Sequence, residues 1–169
     1  EYFFGRDNES EEITGKLLRN RFVAVTGASG SGKSSLVLCG LLPRIRSLTA
    51  KGKGIWRILP MRPGNDPFGN LAEAFIENIF SGEPENEIRG TVLKLLKEEP
   101  DGIAGVIRKQ SSILDEKILL FVDQFEELFR NGSTGKGAAS APAAESFINL
   151  LTNAISHDNP DFFLVIAIR

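Results

Sequence analysis

The run Gly27-Ala28-Ser29-Gly30-Ser31-Gly32-Lys33-Ser34 constrains this chain more than any other stretch, because of what flanks it. Before it stands the apolar run Phe22-Val23-Ala24-Val25, the look of a strand buried on both faces. After it, Leu36, Val37, Leu38, Leu41 and Leu42 give Lys33 to Leu42 the broad apolar face of a helix, which Pro43 is expected to end or kink. In that setting G-x-x-x-x-G-K-[ST] reads as a phosphate cradle. The glycines let the backbone wrap closely around an anion, and the exposed N–H groups and the helix N-terminus favour negative charge. Lys33 reaches outer phosphates, and the Ser34 hydroxyl suits Mg2+. A polyphosphate is the expected ligand; the plainer alternative is a Gly/Ser-rich turn with a solvated lysine.

The rest of the chain alternates strand and helix patterns. A short helix is expected before Asn20, with Asn8 and Glu11 at capping-box spacing ahead of Ile13, Leu17 and Leu18. Lys51 to Gly54 reads as a loop, and Ile55 to Met61 as an edge strand, since Arg57 interrupts it and Pro60 cannot donate to a ladder. Phe68, Leu71, Ala72, Phe75, Ile76, Ile79 and Phe80 form a one-sided helical stripe. Shorter helices follow at Ile88 to Lys97 and Gly102 to Gln110, the second with Asp101 as N-cap candidate. Ile118 to Val122 and Phe162 to Ile168 read as central parallel strands, the first running into Asp123 and the second into Arg169. Between them lie a Gly/Ala/Ser-rich loop, Asn131 to Ala144, and a helix, Ser146 to Ser156. The whole of 1–169 reads as one α/β domain with its ligand at the C-terminal ends of the strands.

Composition removes several function classes. The 20 Lys+Arg against 22 Asp+Glu leave a net charge of -2, so no basic surplus points to nucleic acid or an anionic membrane. One cysteine, Cys39, excludes an internal disulfide, and one Cys with one His cannot build a Cys/His zinc site. The longest apolar run, Phe162 to Ile168, is far shorter than the roughly 20 residues a bilayer span needs. A soluble protein of the reducing cytoplasm is expected.

Asp123, at the end of an apolar strand, fits the second half of a nucleotide site, where a carboxylate helps hold Mg2+; an ordinary helix N-cap is the alternative. Glu126 and Glu127 come next, and either could orient or deprotonate an attacking water, although glutamates at a helix start also suit its dipole. Arg169 should emerge on the same rim, where a cation senses the γ-phosphate, unless it is merely solvated. His157 reads as a helix-end cap and Cys39 as core packing.

These residues resemble the STAND division of P-loop ATPases, within it the novel STAND NTPases, often fused to WD-repeat propellers or other sensor arrays in bacteria. The resemblance is carried by Phe4-Gly5-Arg6-Asp7, Gly32-Lys33-Ser34-Ser35-Leu36, Gly40-Leu41-Leu42-Pro43, Arg62-Pro63-Gly64, Asp66-Pro67 and, most specifically, Asp123-Gln124-Phe125-Glu126-Glu127-Leu128-Phe129. It implies a three-layer P-loop NTPase of the additional-strand type, a central parallel sheet flanked by helices. It also implies that the chain stops before the fifth core strand and the helical and winged-helix parts. The strand ending at Arg169 would lie between the phosphate-loop strand and the Asp123 strand. Ile55 to Met61 would be one edge, and Phe22 to Val25 the other.

The implied activity is ATP hydrolysis in a signalling switch, closed with ADP and opened with ATP into a homo-oligomer, with sensor and effector domains elsewhere in the full-length protein. Gly27 to Ser35, with Lys33 and Ser34 at their centre, would bind the phosphates and Mg2+. Asp123 would be the Walker B acid and Arg169 the polar residue ending the sensor strand, while Phe4, Gly5 and Arg6 would lie on the adenine side. The family's acid falls on Glu126. Gln124 stands where many related ATPases place a catalytic glutamate, so slow hydrolysis is implied. A nucleotide-holding scaffold without turnover is the alternative. A small-molecule kinase would want an Arg-rich lid between Gly82 and Lys117, and a GTPase would want Gly at position 126 and a downstream Asn-Lys-x-Asp; the sequence has none of these.

Overall fold

Parallel strands buried on both faces need helices on both sides, and the chain supplies them in alternation. The computed structural model describes residues 6–52, 54–80, 85–110, 116–129, 139–155 and 159–169. Helix α1 (Asp7–Asn20) leads into β1 (Phe22–Thr26) through Arg21, whose φ of 59° makes the left-handed exit. A helical run then passes from α2 (Lys33–Ser35) through a π-helical segment (Leu36–Leu41) into α3 (Leu42–Ala50). After β2 (Trp56–Met61) come α4 (Pro67–Ile79), α5 (Glu85–Glu98) and α6 (Gly102–Lys109). Strand β3 (Lys117–Val122), a 3-10 helix (Phe125–Phe129), α7 (Ala141–Ala154) and β4 (Phe162–Ile168) complete the order.

The sheet is parallel throughout, in the order β1-β4-β3-β2. This is the expected arrangement: β4 between β1 and β3, β2 on one edge and β1 on the other. Registers pair Thr26 with Ile168, Ile166 with Val122, and Val122 with Met61. The residues that follow each strand therefore share one rim. Pro60 sits in β2, which among the described residues pairs with β3 alone, so its missing N–H costs no ladder bond on the open side.

Alternation along the strands divides the core. Leu59, Met61, Ile118, Leu120, Val122, Phe162 and Leu164 face α4 to α7, with Phe75 and Phe147 buried there. Val23, Val25, Leu119, Phe121, Phe163 and Val165 face α1, the π segment and α3. The result is helices over sheet over helices. In β3, every residue from Ile118 to Val122 is at most 1% exposed, which is why its sequence is an unbroken apolar run.

Several expectations are corrected. The helix after the glycine-rich loop does not stop at Pro43 but continues to Ala50. Proline lacks the N–H that would reach the Cys39 carbonyl, and the chain answers by widening to π geometry just before it, where Leu42 N–H bonds to Val37 O. Cys39 is exposed and not core. Arg6, not Asn8, is the N-cap residue of α1, and no side chain caps it; Asp101 precedes α6 without a side-chain cap bond. The loop over Asn131 to Ala144 gives way to α7 at Ala141, because Ser140 accepts from Ala143 N–H at 3.3 Å and Pro142 pre-sets the first turn. Asp66 caps α4, its side chain accepting from Gly69 N–H at 3.0 Å. His157 and residues 131–138 lie outside the described residues. Among the described residues no helix is long and apolar enough to cross a membrane.

Candidate functional site

The loop after β1 is shaped by its glycines. Gly30 (φ 74°) and Gly32 (φ 82°) adopt the left-handed region that side chains resist, and Ser31 N–H donates to Ala28 O at 3.2 Å to close the turn. A Cβ on Gly27 would lie 2.9 Å from Ser31 Oγ, so a side chain there would require the serine hydroxyl to turn away. Lys33 projects back over the loop, its ammonium donating to Gly27 O at 2.7 Å and Ala28 O at 2.8 Å. The loop thus carries a cation at its inner rim and the start of a long helical run behind it.

Asp123 leaves β3 with its N–H on Met61 O at 2.9 Å, extending the β2–β3 ladder by one bond. Asp123 as a residue is 6% exposed. Oδ1 accepts from Ser34 Oγ at 2.6 Å and Oδ2 from Arg62 at 3.3 Å, so the carboxylate bridges α2, at the end of the glycine-rich loop, to the turn after β2. Gln124 then takes a φ of 55°, turning the chain sharply into the 3-10 helix. That turn sends two adjacent glutamates different ways. Glu126 accepts from Arg169 N–H at 3.2 Å, whereas Glu127 accepts from Gly64 N–H at 3.2 Å, away in the β2–α4 turn. Both acids therefore have specific partners and sit on a 3-10 turn, not at the start of an α-helix.

Arg169 donates from Nη2 to Ser29 Oγ at 2.6 Å and lies 3.8 Å from Glu126 Oε1, so it links the phosphate loop to the Glu126 segment across the end of β4. Together Ser29, Gly30, Lys33, Ser34, Asp123, Glu126 and Arg169 surround a cavity of about 190 Å³. Ser31 and Ser35 are exposed at the margins. Arg6 lies beside the loop, with Nη1 3.8 Å from where a Cβ on Gly32 would be, and pairs with Glu9 at 3.3 Å. Phe4 and Gly5 lie outside the described residues.

A serine hydroxyl and a buried carboxylate 2.6 Å apart at the wall of a polar cavity are hard oxygen donors, and they fit Mg2+. That ion takes few protein ligands and fills its remaining positions with water and phosphate oxygens. What sequence reasoning gives no role is the Arg62-to-Gly64 turn. Its contacts join residues 61 and 63 positions apart, which only the strand order brings together.

Fold and rim together define a P-loop NTPase domain. The chain belongs to the novel STAND NTPase 1 family, whose profile matches residues 1–169. Among solved structures it is similar to the ORC2 protein of Aeropyrum pernix, determined as ADPNP-ADP complexes, with a TM-score of 0.58 and 15% identity. That likeness covers 98% of this chain and 41% of the ORC2 chain, so it shows a shared fold, and the chain spans about two fifths of that neighbour's length. No curated protein sequence matches the chain.

Proposed function

We propose that this chain is the ATP-binding and ATP-hydrolysing module of a signalling switch, working in the cytoplasm as part of a larger multidomain protein. The observation that carries the reading is the 2.6 Å contact between Ser34 and Asp123, two residues 89 positions apart whose types and places match the two halves of a Mg2+-nucleotide site. ADP and ADPNP in the similar ORC2 structure support an adenine nucleotide as ligand.

In this reading the loop N–H groups from Gly27 to Ser34 and the Lys33 ammonium take the phosphate oxygens, while Ser34 and Asp123 hold the metal. Mg2+, when bound, neutralises charge on the β- and γ-phosphate oxygens. Glu126 faces the cavity and orients a water; as the water oxygen bonds to the γ-phosphorus, the bond to the β–γ bridging oxygen breaks and Glu126 accepts the water proton. Arg169, joined to Ser29 and Glu126, places a cation beside the loop where γ-phosphate charge develops. Coupling to sensor and effector domains, and to a nucleotide-dependent homo-oligomer, is what the family membership supports.

Titration calorimetry with ATP and Mg2+ tests this. The wild-type chain binds, and Lys33→Ala loses measurable binding because the charge that meets the outer phosphates is gone. Equal affinity in the two proteins would reduce the glycine-rich loop to a structural turn.

A further inference from the structure

We infer that Arg62 is a positioning residue for the metal-binding carboxylate, holding Asp123 from the side away from the phosphate loop. The inference rests on reading Ser34 and Asp123 as the Mg2+ donors. The two oxygens of Asp123 face different partners: Oδ1 takes the Ser34 hydroxyl at 2.6 Å and Oδ2 takes Arg62 at 3.3 Å. Arg62 is absent from the lining of the phosphate-loop cavity and lines a separate one of about 490 Å³, between α4 and the π segment, in which Asp123 is the shared wall. It therefore approaches the carboxylate from behind and leaves the Ser34 side open. Glu73, a neighbouring acid in that cavity, forms an ion pair with Arg89 at 2.8 Å.

The turn that carries Arg62 is held in place from two directions. Asn70 on α4 donates to Arg62 O at 3.2 Å and to Pro63 O at 3.0 Å, and Gly64 (φ 53°) gives its N–H to Glu127 at 3.2 Å. Main chain, Arg62 side chain and Gly64 N–H thus fasten the turn to the segment from Asp123 to Glu127, across the left-handed Gln124 that this segment needs to change direction. A nearly buried carboxylate with one oxygen held by a guanidinium presents the other oxygen in a fixed direction, which is how outer partners orient a metal ligand.

The test compares wild type, Arg62→Ala, Arg62→Lys and Asn70→Ala. ADP affinity is measured by calorimetry with and without Mg2+, and Mn2+ affinity by electron paramagnetic resonance with ADP present. Arg62→Ala loses about 10- to 100-fold in metal affinity, the range for outer-shell partners, while metal-free ADP binding stays within about twofold. Arg62→Lys recovers part of the loss, and Asn70→Ala, which loosens the turn without touching Asp123, shows a smaller loss in the same sense. Metal affinity in Arg62→Ala equal to wild type overturns the inference, as does an equal loss of metal-free ADP binding. Wild-type ADP affinity indifferent to metal would overturn the Mg2+ reading instead.

Discussion

Glu126 and Glu127 are neighbours of identical chemistry, and the left-handed turn at Gln124 gives them different surroundings. Glu126 borders the phosphate-loop cavity and meets Arg169, whereas Glu127 spends an oxygen on Gly64 N–H. Glu126→Gln is therefore expected to lower single-turnover phosphate release by about 10²-fold or more, the usual worth of a general base, with nucleotide affinity unchanged. Glu127→Gln keeps an amide oxygen to accept from Gly64 and should release phosphate at close to the wild-type rate. Loss confined to the Glu127 variant would move the base by one residue. At this scale the sequence is legible in which residues come together: Lys33, Ser34 and Asp123, singled out by type and spacing, line one cavity. It leaves open which glutamate faces the cavity, because one backbone dihedral at Gln124 decides that and no spacing encodes it.

Among the elements, the strands and α4 can be read in advance because their burial patterns repeat along the chain: β3 is an unbroken apolar run and α4 a single stripe. What escapes is anything set by packing between elements. Pro43 reads locally as a helix end, yet the π segment lets the helical run carry on, and this turns Leu38 and Cys39 outward from a stretch whose composition looks buried. Two glycines show how differently the same residue type can matter. Gly102 lies where a Cβ would come within 2.3 Å of the Leu95 carbonyl oxygen, so α5 and α6 approach as closely as they do only without one. Gly15, in α1, has nothing within 4 Å of that position. Chemical denaturation should find Gly102→Ala destabilised by about 1–3 kcal/mol, since backbone must move to make room. Gly15→Ala should be stabilised by up to about 1 kcal/mol through helix propensity. A stable Gly102→Ala protein would mean that the α5–α6 junction yields freely.

For the whole molecule, the parallel sheet carries its candidate site residues on one rim and ends on β1, whose Phe22 is 36% exposed and whose other edge has no partner strand among the described residues. The phosphate-loop strand, which sets the position of every N–H group in the cradle, is thus supported by β4 on one side alone. The site itself is short of cations. Of the described residues lining its cavity, Lys33 and Arg169 carry positive charge, and Arg62 on the adjacent cavity is committed to Asp123. Phosphoryl transfer draws its acceleration from positive charge placed on several sides of the γ-phosphate, and an arginine supplied from outside is worth about 10³- to 10⁵-fold in related NTPases. This chain alone should therefore bind ATP and release phosphate far more slowly than the roughly 1 to 100 s⁻¹ of efficient phosphoryl-transfer enzymes. Single-turnover phosphate release at saturating Mg2+ measures this directly. A rate within that efficient range would mean that Lys33 and Arg169 already suffice with the bound metal, and that no further cation is needed to complete the site.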